Sequence, residues 1–419
     1  MGALFLAALG LAAVPVPSAA PLSNSVNAFA CANVILLPKG EYLKAADLLS
    51  EAKKHEANPL GPLHQFGNVA LSFVAGLPNT PAANPADADK SDLRKLSHAE
   101  LRDALGEIVQ RARRTSIVIL NEEHQAPRDR AFALQVAQVL RPLGYSILAI
   151  EAFHSAPDAA ERARETKLIA DDGYVRLGTG VYTKDPVFAD FVRQSLTLGY
   201  RPMVYDFVVP KGASQEFEQR EQGAADNLMS AAFANTPQAK MLIYVGYSHA
   251  AEEPVDGMTW LAARLKKMTA VDPLTIDQTT LSPSAFGSNG RSLYAALQTR
   301  MGRRSVVPML DGKPVKSGDL APAVDLQVAH PPERLIRGRP DWLVAMGRAA
   351  VEVPLRLRPR TGRVLVQAFL AKEAAEAIPI DQVIVTAGHK PPPLLVPSGR
   401  FRFAVKLGYR AGDCSVASN

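Results

Sequence analysis

The chain has 419 residues and a mass of 45.0 kDa, with 47% hydrophobic and 21% charged residues; that is far too apolar for disorder and long enough for two or three packed domains. Aromatics make up only 6% of the chain, which argues against a stacking platform for nucleic acid, and two cysteines exclude a disulfide-rich miniature fold or a four-thiolate zinc site within the chain. The net charge of +6 is concentrated at one end: residues 331–419 hold 14 of the 47 Lys and Arg but only 7 of the 41 Asp and Glu.

In chain order, Leu4 to Val14 is an apolar run too short to span a bilayer, broken by Pro15 and Pro17 and followed by the small residues Ser18-Ala19-Ala20. This reads as a signal peptide over residues 1–20 and a periplasmic or secreted protein, although no Lys or Arg precedes the run. The alternative is a buried N-terminal helix. After export, Cys31 and Cys414 could close a loop over nearly the whole chain; otherwise they are unrelated thiols. Residues 21–92 read as a helical and irregular lead-in. Ser97-His98-Ala99-Glu100 has the capping-box pattern and predicts a helix ending near Arg113.

A regular alternation follows over residues 93–280. Ser116–Leu120, Tyr145–Glu151, Arg201–Phe207, Lys240–Gly246 and Leu274–Thr279 are apolar runs that predict strands covered on both faces. Helical patterns lie between them at 128–140, 159–170, 186–198, 214–233 and 259–268. The fold class this predicts is α/β, a largely parallel sheet flanked by helices. Residues 171–184, rich in turn formers, read as a loop over a pocket, with Tyr174 and Tyr182 as candidate lining residues. Residues 281–340 read as a turn-rich linker. Residues 341–419 switch to short strands at Ala349–Arg358, Arg363–Leu370, Gln382–Thr386 and Phe401–Leu407, the spacing of a small β-sandwich. The alternation Leu355-Arg356-Leu357-Arg358 reads as the solvated face of a strand; the other reading of the basic excess is a surface for an anionic partner such as the cell envelope.

In open parallel sheets, sites form outside the carboxyl ends of the strands. Here the first strand leads into Asn121-Glu122-Glu123-His124, the second ends in Glu151 with His154 behind it, the third ends in Tyr205-Asp206 and the fourth leads into Gly246-Tyr247-Ser248-His249. Titratable groups gathered at one end of a sheet shift each other's pKa values, so Glu122, His124, Glu151, Asp206 and His249 are candidate catalytic residues. The remaining histidines have plainer readings: His55, His64 and His98 in the helical lead-in, His330 and His389 beside prolines in loops. No Gly-x-Ser-x-Gly elbow or phosphate-binding Gly-Lys-Ser/Thr loop appears, which disfavours a serine hydrolase of the α/β type and a nucleoside triphosphatase.

This set resembles the superfamily that contains the erythromycin esterases, the ChaN-like haem-binding iron-uptake proteins and the TIKI/TraB-type proteases. Glu122 and His124 match its first motif, Glu151 its second-strand acid, Arg220-Glu221 with Asn227-Leu228-Met229 its helix, and Gly246 and His249 its last motif, over roughly residues 115–280. Asn121 stands in place of the family glycine, a position where Asn tolerates a left-handed backbone. The resemblance implies a hydrolase of a small-molecule or peptide substrate, with His124 or Glu122 activating water and Arg220 or His249 stabilising an oxyanion. A variant places zinc, manganese or cobalt between His124, His249, Glu122 and Glu151. The alternative is a haem- or metal-binding carrier without turnover. No nucleic-acid partner is expected.

Overall fold

The structure is a computed structural model and describes residues 25–56, 62–75, 83–210, 212–233, 238–285, 287–410 and 412–414. The expected signal segment, residues 1–20, lies outside the described residues.

Three helices open the described chain: α1 (Ser25–Ala30), α2 (Tyr42–Ala52) and α3 (Pro62–Ala75). Helix α4 (Lys90–His98) follows, capped by the Asp89 carboxylate, which accepts from the Asp92 amide at 2.9 Å. The helix expected from the capping pattern at Ser97–Glu100 does not form there. A strand, β1 (Glu100–Asp103), intervenes, and α5 (Ala104–Ala112) starts only after Asp103, whose carboxylate accepts from the Gly106 amide at 2.9 Å. A short acid one turn closer to the apolar run won the cap, and β1 is held by pairing with a distant strand.

The alternation then runs β2 (Ile117–Glu122), α6 (Pro127–Leu140), β3 (Tyr145–Ile150), α7 (Ala159–Asp172), α8 (Pro186–Thr197), β4 (Arg201–Met203), α9 (Glu216–Leu228), β5 (Lys240–Gly246), α10 (Leu261–Thr269) and β6 (Leu274–Asp277). The stretch 281–340, expected as a linker, is built into the same body. It carries α11 (Ser288–Gln298), β7 (Val306–Leu310), β8 (Lys313–Pro314), β9 (Leu326–Gln327) and the hairpin β10 (Leu335–Ile336) to β11 (Arg339–Pro340). Strands β1, β7 and β8 form an antiparallel sheet, while β9 becomes an edge of the main sheet. That sheet has the order β4-β3-β5-β2-β6-β9, with every pairing parallel. Along β2 the side chains alternate between two apolar layers: Val118 and Leu120 pack towards α6 and α8, Ile117 and Ile119 towards α9 and α10. An α/β fold with a small β-rich C-terminal region is therefore what the sequence encodes.

The C-terminal region contains β12 (Ala349–Val351), β13 (Arg363–Leu370), β14 (Asp381–Thr386), β15 (Leu394–Val396) and β16 (Phe401–Leu407). They form two antiparallel sheets, β12-β15 and β14-β13-β16, around a shared core of Val353, Val364, Val366, Val383 and Leu394. The expected strand Ala349–Arg358 stops at Val351, because Pro354 removes a ladder donor and Leu355–Leu357 turns as a 3-10 helix with Leu355 79% exposed. The basic excess is partly spent internally: Arg348 pairs with Asp190 and Arg339 with Asp381.

The second face of β13 does not meet solvent. Leu365 and Ile384 pack into the core of α2 and α3, and the Gln382 amide donates to the Phe73 carbonyl at 2.8 Å. Lys44–Asp413 (3.0 Å) and Lys406–Glu41 (2.9 Å) add ion pairs, and a disulfide joins Cys31 to Cys414 across 383 residues of sequence. Helices α1 to α3 and the C-terminal strands thus form one unit. Reduction of the disulfide is expected to cost about 2–4 kcal/mol, seen as a lower midpoint in denaturant with dithiothreitol. Unchanged midpoints with and without reductant would contradict that.

Candidate functional site

Parallel register fixes the first relation: Glu122 at the end of β2 lies opposite Gly246 at the end of β5. Behind Glu122 sits Arg130, a wholly buried side chain on α6. Its guanidinium donates to both Glu122 oxygens at 2.7 and 2.9 Å, to Asp185 at 2.7 Å and to the His124 carbonyl at 2.6 Å. Burial pushes the Glu122 carboxyl up, but Arg130 and His124 outweigh it and hold the group below its ordinary range. Glu122 faces His124 Nδ1 at 3.0 Å. With Nδ1–H so committed, Nε2 is the nitrogen left to the site.

The imidazole of His124 is stacked on Tyr182 at 3.8 Å between ring centres and lies edge-on to Tyr247. Its outer edge hangs over Gly246, where an added Cβ would come within 2.5 Å of Cε1 and 2.8 Å of Nε2, and 3.4 Å from Glu151 Oε2. Only glycine admits the ring here. Glu151 follows β3 directly; one oxygen accepts from the Gly246 amide at 2.6 Å, the other from Arg220 at 2.8 Å, and His249 Nε2 lies 3.2 Å from it. Burial raises its pKa, but His249, Arg220 and His124 overcompensate and hold it at about 2.

Arg220, on α9, also donates to Asp206 at 3.0 Å, and Asp206 accepts from the Ser155 hydroxyl at 2.6 Å. His249 sits in the 3-10 turn Tyr247–Ala250, its Nδ1 bonded to Glu221 at 3.1 Å and its ring edge-on to Trp260. Burial alone would lower its pKa, yet Glu151 and Glu221 outweigh it and raise the group above its ordinary range. Entry into its turn forces Tyr247 to φ 39°, a strained conformation for a tyrosine.

All six candidate residues, Glu122, His124, Glu151, Asp206, Arg220 and His249, therefore meet at one end of the sheet. Tyr182 joins them as the floor under His124. Tyr174 does not; its hydroxyl accepts from the Ala374 amide at 3.0 Å, fastening the loop to the C-terminal region. His154 is exposed. Asn121 is not left-handed: it lies within β2, and its side chain donates to Asp277 and to the Tyr247 carbonyl, both at 2.9 Å, and accepts from the Gln278 amide. It ties β2, β6 and the His249 turn together.

Sequence reasoning missed Arg130, Asp185 and Trp260, and gave Glu221 no role. Glu221 adjoined a residue already singled out, but the other three sit where nothing local marks them.

The donor set fits a metal ion poorly. Both Glu122 oxygens are taken by Arg130, both His249 nitrogens by carboxylates, and Glu151 by Arg220 and a backbone amide. Among the described residues no group of three or more His, Cys, Asp or Glu side chains is arranged to hold one.

Beside the site, Glu123 is buried and pushed up to about 7, although Ser284 and Gln125 donate to it. Its folded pKa exceeds the ordinary 4.5, so the folded state binds the extra proton and stability falls as pH rises from 4.5 to 7. Glu123→Gln should remove about 3 kcal/mol of this penalty at pH 8 and nothing at pH 4. Melting curves of both proteins across that range give the answer; parallel pH profiles would refute the assignment.

The fold and site define an α/β protein with an Arg-, His- and carboxylate-lined centre at the strand carboxyl ends. No protein-family model matches the chain, and no curated protein does. Among solved structures it is similar to a bacterial protein toxin (TM-score 0.32, 13% identity, 53% of this chain and 52% of that one). It is also similar to the C-terminal region of Pasteurella multocida toxin, which is reported to hold a thiol-protease-like catalytic triad (TM-score 0.30, 14% identity, 49% and 29%). A third is the type III effector HopBA1 (TM-score 0.30, 12% identity, 56% and 97%). The chain spans about half the length of the first of these. Likenesses this distant carry no conclusion about activity.

Proposed function

We propose that this chain is a hydrolase that uses a water nucleophile at the His124–Glu151–His249 centre, on a small-molecule or peptide substrate. The observation that carries this reading is the orientation of His124. Glu122, itself locked by Arg130, holds Nδ1, which leaves Nε2 facing the space above Gly246 and Glu151. That is the arrangement of a general base oriented by a carboxylate.

In this reading Nε2 takes a proton from water as its oxygen attacks the substrate carbonyl. Arg220 and His249 supply the positive charge on the side of the developing oxyanion, and His124 passes the proton it took from water to the leaving group. The motif resemblance to erythromycin esterases and TIKI/TraB-type proteases supports the same chemistry. The disulfide between Cys31 and Cys414 supports an oxidising compartment, periplasmic or secreted.

Panels of chromogenic esters and peptides, screened with the wild type, test the proposal. On any substrate turned over, His124→Ala should lower kcat about 10²–10⁴-fold with a smaller change in KM. Elemental analysis runs beside it. Stoichiometric zinc, manganese, cobalt or iron lost in His249→Ala, without turnover on any substrate, would favour the carrier and end the hydrolase reading.

A further inference from the structure

A second site lies on the flank of the domain, lined by none of the six residues above. The outer face of α6, the end of α11 with residues 301–305, and the segments 330–334 and 341–345 enclose a cavity of about 560 Å³. Its wall is cationic: Arg128, Arg303, Arg304 and Arg334 face two acids, Asp103 and Asp341. Both acids are already used. Asp103 caps α5, and Asp341 pairs with Arg303 at 3.3 Å.

Arg128 is the telling residue. Its side chain is half-buried and donates to the Pro331 carbonyl. Among the described residues it makes no ion pair within 4.0 Å; Glu333, Asp341 and Asp129 act on it from further away, and burial outweighs them and pulls its pKa down. A half-buried cation with no carboxylate in direct contact marks a place where an anion would be favoured. The guanidiniums of Arg304 and Arg334, at the exposed mouth, have no hydrogen-bond or ion-pair partner among the described residues. Three guanidiniums are thus unspent around one cavity. A carboxylate would leave two of them uncompensated, whereas a phosphate monoester brings nearly two charges and three acceptor oxygens. Phe132 and Trp342 supply an apolar wall, and the volume suits a small molecule.

We propose that this cavity binds a phosphomonoester group, held by Arg128, Arg304 and Arg334. The group belongs to a soluble metabolite or to a lipid headgroup. The second source is worth testing because Leu335, Ile336 and Val344, neighbours in sequence of the cavity wall, are 63%, 55% and 54% exposed.

Calorimetry on the full chain with glycerol 3-phosphate and inorganic phosphate, and sedimentation with phosphatidylcholine vesicles with and without phosphatidic acid, separate the two. Binding of glycerol 3-phosphate without vesicle retention assigns a soluble ligand. Retention by phosphatidic acid, lost in Leu335→Ser/Ile336→Ser, assigns the lipid. In either case Arg304→Gln/Arg334→Gln, exposed positions that leave the fold intact, should weaken binding at least about tenfold, and Arg128→Gln should weaken it further. No binding of any probe by the wild type, or binding that survives the double Arg variant, overturns the proposal.

Discussion

Arg130→Met should destabilise the protein by about 3–5 kcal/mol, enough to remove a large share of the stability of an ordinary domain. The side chain is fully buried, and it satisfies Glu122 and Asp185 with three charge-assisted hydrogen bonds. Methionine fills similar space but leaves two carboxylates in the interior without a cation. Burial already raises the pKa of Asp185 against the pull of Arg130, so on losing it this acid takes up a proton and the loss becomes pH-dependent. Guanidinium chloride unfolding should show a lower midpoint at constant slope. Adding Glu122→Gln and Asp185→Asn should recover part of the loss, because the uncompensated charges are then gone. A loss under about 1 kcal/mol would mean that the three groups are not paired as described.

Gly246→Ala should have the largest effect on turnover for the smallest change in chemistry. The new methyl would lie 2.5 Å from His124 Cε1 and 2.8 Å from Nε2, closer than any real contact. The ring must rotate or the strand must shift, and in the proposed mechanism either breaks the alignment between Nε2 and the attacking water. A misplacement of about 1 Å costs on the order of 10²-fold in rate, while overpacking costs about 1–3 kcal/mol in stability. Gly302→Ala, with open space around its Cβ position, is the matched control. Full activity in Gly246→Ala would show that His124 does not act from this position.

Much of this site was readable before the structure because the fold does the gathering. Apolar runs at Ser116–Leu120, Tyr145–Glu151 and Lys240–Gly246 mark buried strands, and a parallel sheet places whatever follows them at one edge. What escaped was held by contacts distant in sequence. Arg130 looks like a solvated charge on a helix, and only the approach of Asp185 and Glu122 makes it a buried one. Residues 281–340 lack a clear period because their strands are two to five residues long and their apolar residues fill gaps between larger elements. The C-terminal strands carry the right alternation, but nothing in them announces that the face opposite the small sandwich is covered by α2 and α3.

That covering has a consequence for synthesis. The apolar side of α2 and α3 leaves the ribosome early, yet its counterpart on β13 emerges roughly 290 residues later, about 15–60 s at usual elongation rates. All six strands of the central sheet emerge within that interval. The unit that α2 and α3 make with the C-terminal strands cannot form until β16 is released, and the apolar side of these helices would need holding, as by a chaperone, until then.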